Sequence, residues 1–477
     1  MRRDIHLPMK LLLAFFSLAT VGLFTGCQHY QPASINAGQT AALLEGRSLA
    51  DPGLRSFLET NLHRSFPGWP ARNLDLPALT LVAFYYHPSL DVARAQWGVA
   101  EAGVQSAGGR PNPTVGVTPG YSFNAASGTS PWFPLLNIDV PLETAGKRGY
   151  RVAHAQHLSE AARLNIASAA WTVRANLRAS LFDYAAATQR AELLQKQLQA
   201  HQQIVTLLEQ RLQAGAIARN ELTLPSLALA KSGVELADAQ RQAAEARVRI
   251  ADALGLPVKA LEGVEFESRL PLSADAAKEL TSAEARQQAL LSRPDILAAL
   301  AEYAASQSAL QLEIAKQYPD IHLGTGYQFD QGEHKWSLGL TAEIPVLNRN
   351  QGPINEARAK REESAARFVA LQAKVIAEID RALTARATAL DQATRQGQLT
   401  QLAHEQTASV ETLFKAGAAD KLDLSSAQLE ASANDLAYLD AQIKARQAVA
   451  QLEDALQRPL EAWPSLEHGR TAQATKP

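Results

Sequence analysis

The sequence predicts a mostly helical chain with a small β part, built as a tandem structural repeat. Three observations carry that prediction: a duplication along the chain, two very long proline-free stretches, and four short segments in which apolar and polar residues alternate. Composition agrees. Only 6% of the 477 residues are aromatic, and Ala, Leu, Gln, Glu and Arg dominate the middle of the chain, as in long helices packed side by side.

The duplication comes first because it sets the architecture. The segment from His87-Pro88 to Tyr121-Ser122-Phe123 matches Arg293-Pro294 to Tyr327-Gln328-Phe329 without a gap at an offset of 206. Asp139-Val140-Pro141-Leu142 matches Glu343-Ile344-Pro345-Val346 at 204, and Ala214-Gly215-Ala216 matches Ala416-Gly417-Ala418 at 202. The last offset also carries Ala253-Leu254 and Pro257 onto Ala455-Leu456 and Pro459. Three stations in one order imply two copies of one unit. The expected organisation is a signal peptide over 1–26, an N-terminal segment over 27–75 and a first repeat over 76–257. A connector over 258–282, a second repeat over 283–459 and a tail over 460–477 follow. Each copy reads as helix, two strands, very long helix, turn, long helix.

The strands show best in the second copy. Ile321 to Phe329 and Trp336 to Ile344 both alternate with period two, and the short connection from Asp330 to His334 predicts a hairpin. The first copy repeats this from Pro113 to Phe123 and from Leu136 to Val140, around a small-residue loop at 125–130, with a bulge expected near Pro119. The helices follow. From Glu143 to Leu212 there is no proline, and Asn355 to Lys415 has one interior glycine, Gly397. A helix of about 60 residues would run roughly 90 Å. Leu177, Leu181, Leu194, Leu198 and Leu208 belong to a row recurring at threes and fours, with alanines between them that allow close approach.

Four amphipathic strands of about ten residues suit a bilayer, yet four cannot close on themselves. Lipid does not tolerate open sheet edges, so strands from several chains must complete one barrel. Three copies would give about twelve strands, within the range of outer-membrane barrels. Val115, Leu136, Ile321 and Leu338 would face lipid, and Asp139 and Glu343 the lumen. The long helices would continue the cylinder as a periplasmic α-barrel.

The first residues read as a targeting segment. Arg2, Arg3 and Lys10 precede an apolar run from Leu11 to Phe24 that ends in Thr25-Gly26-Cys27. This resembles the lipobox of bacterial lipoproteins, in which the cysteine is acylated. Phe24 stands where that pattern usually has Leu, and Gln28 after the cysteine implies sorting to the outer membrane. Cys27 is the single cysteine and both methionines, Met1 and Met9, lie in the signal, so no thiolate cage and no thioether cluster is available. His154 and His157 lie three apart without a third ligand and read as solvated helix residues. The formal charge of −2 and the absence of a basic, aromatic-studded patch argue against nucleic acid. No phosphate loop, nucleophile elbow or zincin helix is present, so neither cofactor nor enzymatic activity is expected.

Over essentially the whole mature chain the residues resemble the TolC family of outer-membrane efflux factors. Arg293-Pro294-Asp295-Ile296 resembles the start of that family's second copy. Arg211-Leu212-Gln213-Ala214-Gly215 and Leu413-Phe414-Lys415-Ala416-Gly417 resemble its two tip motifs, which meet a periplasmic adaptor. The resemblance implies a homotrimer anchored in outer-membrane lipid and docked on an adaptor (membrane fusion protein). An inner-membrane pump of the resistance-nodulation-division type would supply the energy. Asp423 matches an aspartate ringing the periplasmic aperture, Ser426 replaces a second acidic position, and Glu221 is the first-copy counterpart of Asp423. Phe414 and Ala419 replace the tyrosine and arginine of the aperture latch. Pro111-Asn112-Pro113 and Glu143-Thr144-Ala145-Gly146-Lys147-Arg148 resemble the cobalt–zinc–cadmium resistance branch, with one extra residue before Gly146. The implied function is a passive export duct for divalent heavy-metal cations. Alternatives are a multidrug or other small-molecule duct of the same family and, from another class, a coiled-coil envelope lipoprotein.

Overall fold

The computed structural model describes residues 29–266 and 281–459. Cys27 and the tail from 460 lie outside them. The chain divides into two compact units between Arg47 and Ser48. In the first, one helix, α1 (Ala37–Glu45), is capped by the Asn36 side chain, which accepts the N–H groups of Gly38 and Gln39.

The second unit runs α2 (Pro52–Leu62), α3 (Leu76–Tyr86), α4 (Pro88–Gly108), β1 (Thr114–Thr118), β2 (Leu135–Leu142), α5 (Lys147–Gln213) and α6 (Asn220–Leu254). A 3-10 turn at Val258–Leu261, α7 (Ala283–Ser292), α8 (Pro294–Ala315), β3 (Ile321–Asp330), β4 (Glu333–Ala342), α9 (Gln351–Lys415) and α10 (Lys421–Leu456) complete it. The series α4–β1–β2–α5–α6 recurs as α8–β3–β4–α9–α10, in the predicted order. At 67 and 65 residues, α5 and α9 would each extend about 100 Å. Pro353 is tolerated because it falls in the first turn of α9, where the N–H it lacks has no intrahelical partner.

The four strands form one antiparallel sheet in the order β1-β2-β3-β4. Two details differ from the sequence expectation. The second hairpin turns on two residues only, with Asp330 opposite Glu333; Gln331 and Gly332 both have positive φ, the geometry that two-residue hairpins favour. β4 therefore starts at Glu333 and ends at Ala342, which leaves Glu343 one residue beyond the strand. In the first hairpin β1 stops at Thr118, where Pro119 cannot donate to the ladder. Pairing then resumes at the Tyr121–Trp132 bridge, with Gly120 and Pro131 carbonyls accepting from Phe133 and Ser122.

The hydrophobic core repeats residue for residue. Leu90, Val173, Leu177, Ile250 and Leu254 are buried in the first copy, and their counterparts Ile296, Val375, Ile379, Leu452 and Leu456 in the second. Around the first core, Leu54 and Leu58 of α2 and Leu79 and Leu81 of α3 add a layer of large side chains. Among the described residues the second core is covered by the smaller Ala285 and Ala289 of α7 and their neighbours. Near the strands the helix neighbours run α4, α5, α8, α9; beyond them the row is α6, α5, α10, α9. Buried alanines such as Ala185, Ala187, Ala441, Ala445 and Ala448 let these helices approach closely.

Between α5 and α10 lies a buried charge cluster. Glu453 accepts from both Arg174 (2.6 Å) and Arg178, while Arg178 also reaches Asp454 at 2.6 Å. Burial pulls the Arg174 guanidinium below its usual value, against the opposing field of Glu453. Two guanidiniums sharing two carboxylates keep the site near neutrality, the condition under which buried charge is tolerated.

Candidate channel wall, joints and tips

The sheet sorts most of its side chains by polarity, because residues opposite one another across strands share a face; Leu135 on the polar face and Thr325 and His334 on the apolar face are the exceptions. One face carries Val115, Ile138 and Leu338 in one row, Val117, Leu136, Tyr327 and Trp336 in another, and Val140, Leu323 and Leu340 in a third. The other carries Thr114, Asn137, Asp139, His322, Gln328, Lys335 and Thr341. Ile321 also lies on the apolar face, opposite Leu142. No helix among the described residues is long and apolar enough to cross a membrane. The sheet has the length and the sidedness of a barrel wall: ten residues in β3 and in β4 span about 33 Å.

Aromatic residues gather at the hairpin ends. Tyr121 packs on Phe123 and Trp132 with ring centroids 5.3 and 5.0 Å apart, and Tyr327 on Trp336 at 4.8 Å. These are repeat counterparts, so each hairpin carries its own aromatic cluster on the apolar face, the residue types that form girdles in outer-membrane barrels. On the polar face, His322 donates its Nδ1–H to Asp139 Oδ2 at 2.8 Å. Asp139 thus lies on the polar face of the sheet, opposite Thr114 and Gly324. Glu343 is exposed beyond the end of β4, outside the ladder.

At the helix–strand joints the structure assigns chemistry that the sequence motif concealed. Lys147 is the first residue of α5, an unfavourable place for a cation next to a helix N-terminus. Its ammonium is buried and turned onto the end of α8, donating to the Tyr318 carbonyl at 2.7 Å and to Asp320 at 2.8 Å. Arg148 donates to Gly108 O, and Arg151 to Ala107 O and Gly109 O, while Glu143 holds Arg151 through both carboxylate oxygens. The run from Glu143 to Arg151 therefore closes the orphan carbonyls at the end of α4 and ties the start of α5 to the segment that follows α8. In the second copy the same place is taken by Asn350. Gly146 and Asn350 are repeat counterparts and both start a long helix from the left-handed region, with φ of 73° and 58°, a conformation that Gly and Asn accept most readily. Asn350 donates to the carbonyl and carboxylate of Glu313 at 2.8 and 2.9 Å. Burial works to raise the Glu313 carboxyl, but Lys316 and Asn350 outweigh it and hold the group below its ordinary value.

The two tips are built alike. Gly215 and Gly417 have φ of 70° and 73°. Gly215 N–H donates to Leu212 O and Ala216 N–H to Arg211 O; Gly417 donates to Phe414 O and Ala418 to Leu413 O. Both pairs make the Schellman closure of a helix C-terminus. The side chains of Leu413 and Phe414 are exposed at the second tip, whereas Arg211 and Leu212 are half-buried at the first. Helix starts after the tips are capped by acids three residues in. Asp423 accepts from Asp420 N–H at 2.9 Å and Asp420 from Asp423 N–H at 2.8 Å, a full capping box. At the first tip Glu221 accepts from Ala218 N–H, but Ala218 has no side-chain acceptor to return the bond. Arg211 pairs with Asp420 and so links one tip to the other. Glu221, Asp423 and Ser426 are all exposed.

The histidine expectation needs correction. His154 is half-buried and donates Nδ1–H to the Ala305 carbonyl at 2.8 Å. It lines a cavity of about 310 Å³ between α5, α8 and α9 together with Glu302, Glu313, Glu356 and Lys360. His157 is half-buried too. Among the described residues no group of three His, Cys, Asp or Glu is arranged to hold a metal ion.

Comparison with known proteins matches residues 83–256 and 285–457 to the family model described as outer membrane efflux protein. The cobalt-zinc-cadmium resistance protein CzcC of Cupriavidus metallidurans is 25% identical over 408 residues, covering 84% of this chain and 94% of its own. The pyoverdine export outer membrane protein OpmQ of Pseudomonas putida is 26% identical over 241 residues, 47% of this chain and 49% of its own. Among solved structures, the outer membrane protein VceC of Vibrio cholerae superposes with a TM-score of 0.67 at 21% identity, over 81% of this chain and 97% of VceC.

Proposed function

Because the chain belongs to the outer membrane efflux protein family, whose members are passive channels and not enzymes, we propose that its cargo is divalent heavy-metal cations. It is an outer-membrane efflux channel. Family members work with adaptor and pump partners in tripartite systems, and here the pump would be of the resistance-nodulation-division type, reached through a periplasmic adaptor. The observation that carries the metal reading is the similarity to CzcC along nearly the full length of both chains. OpmQ, similar over only half its length, favours export of a small molecule as the second reading. A coiled-coil spacer would have no use for a sheet with one apolar and one polar face.

In this reading three copies close a barrel, the apolar face meets lipid, and Asp139 with His322 lines the lumen. Glu343, beyond β4, would lie at the lumen mouth. Exposed Leu413 and Phe414, with Arg211, Leu212, Gly215 and Gly417 shaping the turns, would meet the adaptor. Asp423 and Glu221 would place carboxylates beside the periplasmic aperture, with Ser426 between rows; repeated around a pore, such acids attract cations and disfavour anions. Acylated Cys27 would anchor the mature chain. The test is a deletion strain complemented with this chain and challenged with metals and dyes. Complementation should restore zinc, cobalt and cadmium tolerance. Unchanged metal tolerance with restored dye tolerance would move the cargo to the second reading.

A further inference from the structure

His322 and His404 each hold a carboxylate at 2.8 Å, on Asp139 and Asp435, but through opposite ring nitrogens. His404 uses Nε2, which leaves it only the nitrogen crowded by its own main chain. His322 uses Nδ1, so its outward nitrogen, Nε2, keeps a lone pair and has no hydrogen-bond partner among the described residues. A carboxylate that takes Nδ1–H fixes the tautomer and the ring orientation and makes the ring a better ligand, the arrangement found behind metal-bound histidines.

The surroundings favour an ion at that nitrogen. Both side chains are part-exposed on the polar face of the sheet. On the row of Asp139, the two positions across β3 and β4 are Gly324 and Gly339, which carry no side chain. A Cβ added at either would meet only backbone, at 3.7 and 3.9 Å. Elsewhere on this face the glycines are covered, Gly116 by Asn137 and Gly326 by Ser337. The bare floor beside the ring leaves room for an ion with its water. Asp320, two residues before His322, is already committed to the Lys147 ammonium and the Thr144 N–H. Asp139 is the charge left to the pair.

We propose that His322 Nε2 coordinates a borderline divalent cation such as zinc on the wall of the duct, with Asp139 as the positioning residue behind it. Imidazole suits such ions, whereas magnesium and calcium prefer oxygen. The site rests on the channel reading, which turns the polar face to the lumen and makes the ion cargo. Among the described residues no three acidic, histidine or cysteine groups converge on a metal, so the ion keeps water in its other positions. A single-imidazole contact is released easily, and conduction needs binding weak enough to leave.

Modification of the full-length channel with diethyl pyrocarbonate, mapped peptide by peptide, reads the histidines separately. His322 should react in metal-free protein, and zinc should protect it where the same concentration of magnesium does not. Asp139→Ala should raise the zinc concentration for half-protection about tenfold. Asp139→Asn, which keeps an oxygen for Nδ1–H, should recover part of that loss. Gly324→Leu, which fills the floor, should weaken protection too. Unchanged reactivity of His334, bonded to the Tyr327 hydroxyl at 2.6 Å, reports in each variant that the sheet has folded, and the wild-type arms decide by themselves if it has not. A His322 that is unreactive without metal, or that reacts equally with zinc present, overturns the site. Equal protection by magnesium overturns coordination in favour of plain charge attraction. If the wild-type chain restores no metal tolerance to the deletion strain, the cargo reading falls on that test, while zinc protection still decides the site.

Discussion

The two repeats carry one core and two different sets of connections. Val173, Leu177, Ile250 and Leu254 have buried counterparts in Val375, Ile379, Leu452 and Leu456, but among the described residues the buried charge cluster is not repeated. Arg174 and Arg178 on α5 meet Glu453 on α10; the counterparts are Ile376 and Asp380 on α9 and Ala251 on α6. Positions that face inward within a repeat see the same neighbours twice and stay alike. Positions at which one repeat meets the other are free to differ, because the two junctions are distinct places.

The largest break of this asymmetry is predicted at the charge cluster. Glu453→Ala leaves two buried guanidiniums beside a single remaining acid, Asp454, and breaking a buried pair in this way costs about 3–5 kcal/mol. Ala251→Ser, at the counterpart position on α6, removes no charge and should cost far less. Thermal unfolding of the solubilised protein compares the two directly. Equal losses would mean that the cluster is not what holds α5 to α10.

The joints come next. Lys147→Met keeps the stem and removes the charged donor to Tyr318 O and Asp320, a loss of about 1.5–3 kcal/mol for hydrogen bonds to charged groups. Asn350→Ala removes from the left-handed position the amide side chain that lets Asn tolerate it, at up to about 1–2 kcal/mol. Asn350→Gly should recover the backbone part and retain only the loss of the Glu313 bonds. Limited proteolysis at the joints, read beside unfolding, shows whether the cationic joint or the amide joint opens first. The cationic joint should show the larger change.

Much of this was legible in the sequence, and the reason is periodicity. The offsets gave the order of elements twice over, and period-two alternation located the apolar face through Val115, Leu136, Ile321 and Leu338. Gly215 and Gly417 marked the helix ends because their closure is local. Long-range partners were not legible. Lys147 reads as one letter of a branch motif until the end of α8, 171 residues away, is brought beside it. His154 looked solvated because its acceptor, Ala305 O, belongs to a helix 151 residues on. The two-residue turn at Gln331-Gly332 was missed because charged residues on both sides, Asp330, Glu333 and Lys335, read as loop although they pair across the hairpin.

The smallest predicted effect lies at the tips, where the repeats differ by one side chain. The second helix start has Asp420 as acceptor and the first has Ala218 in its place. The Asp420 carboxyl is held below its ordinary value, first by the Asp423 N–H and next by Arg211. A depressed carboxyl contributes stability that is complete above its ordinary value of about 3.9 and is lost as pH falls through the folded value. Amide exchange across 416–424, corrected for intrinsic rates, should therefore quicken on moving from neutral pH to below about pH 4. Arg211 would be released from the other tip over the same range. Asp420→Ala should bring that quickening to neutral pH and flatten its further response to acid. Ala218→Asp, which restores the missing half of the box, should slow exchange at the first tip and give it the acid sensitivity of the second. If acid leaves both tips equally protected, the difference between them is one of sequence without consequence for local order.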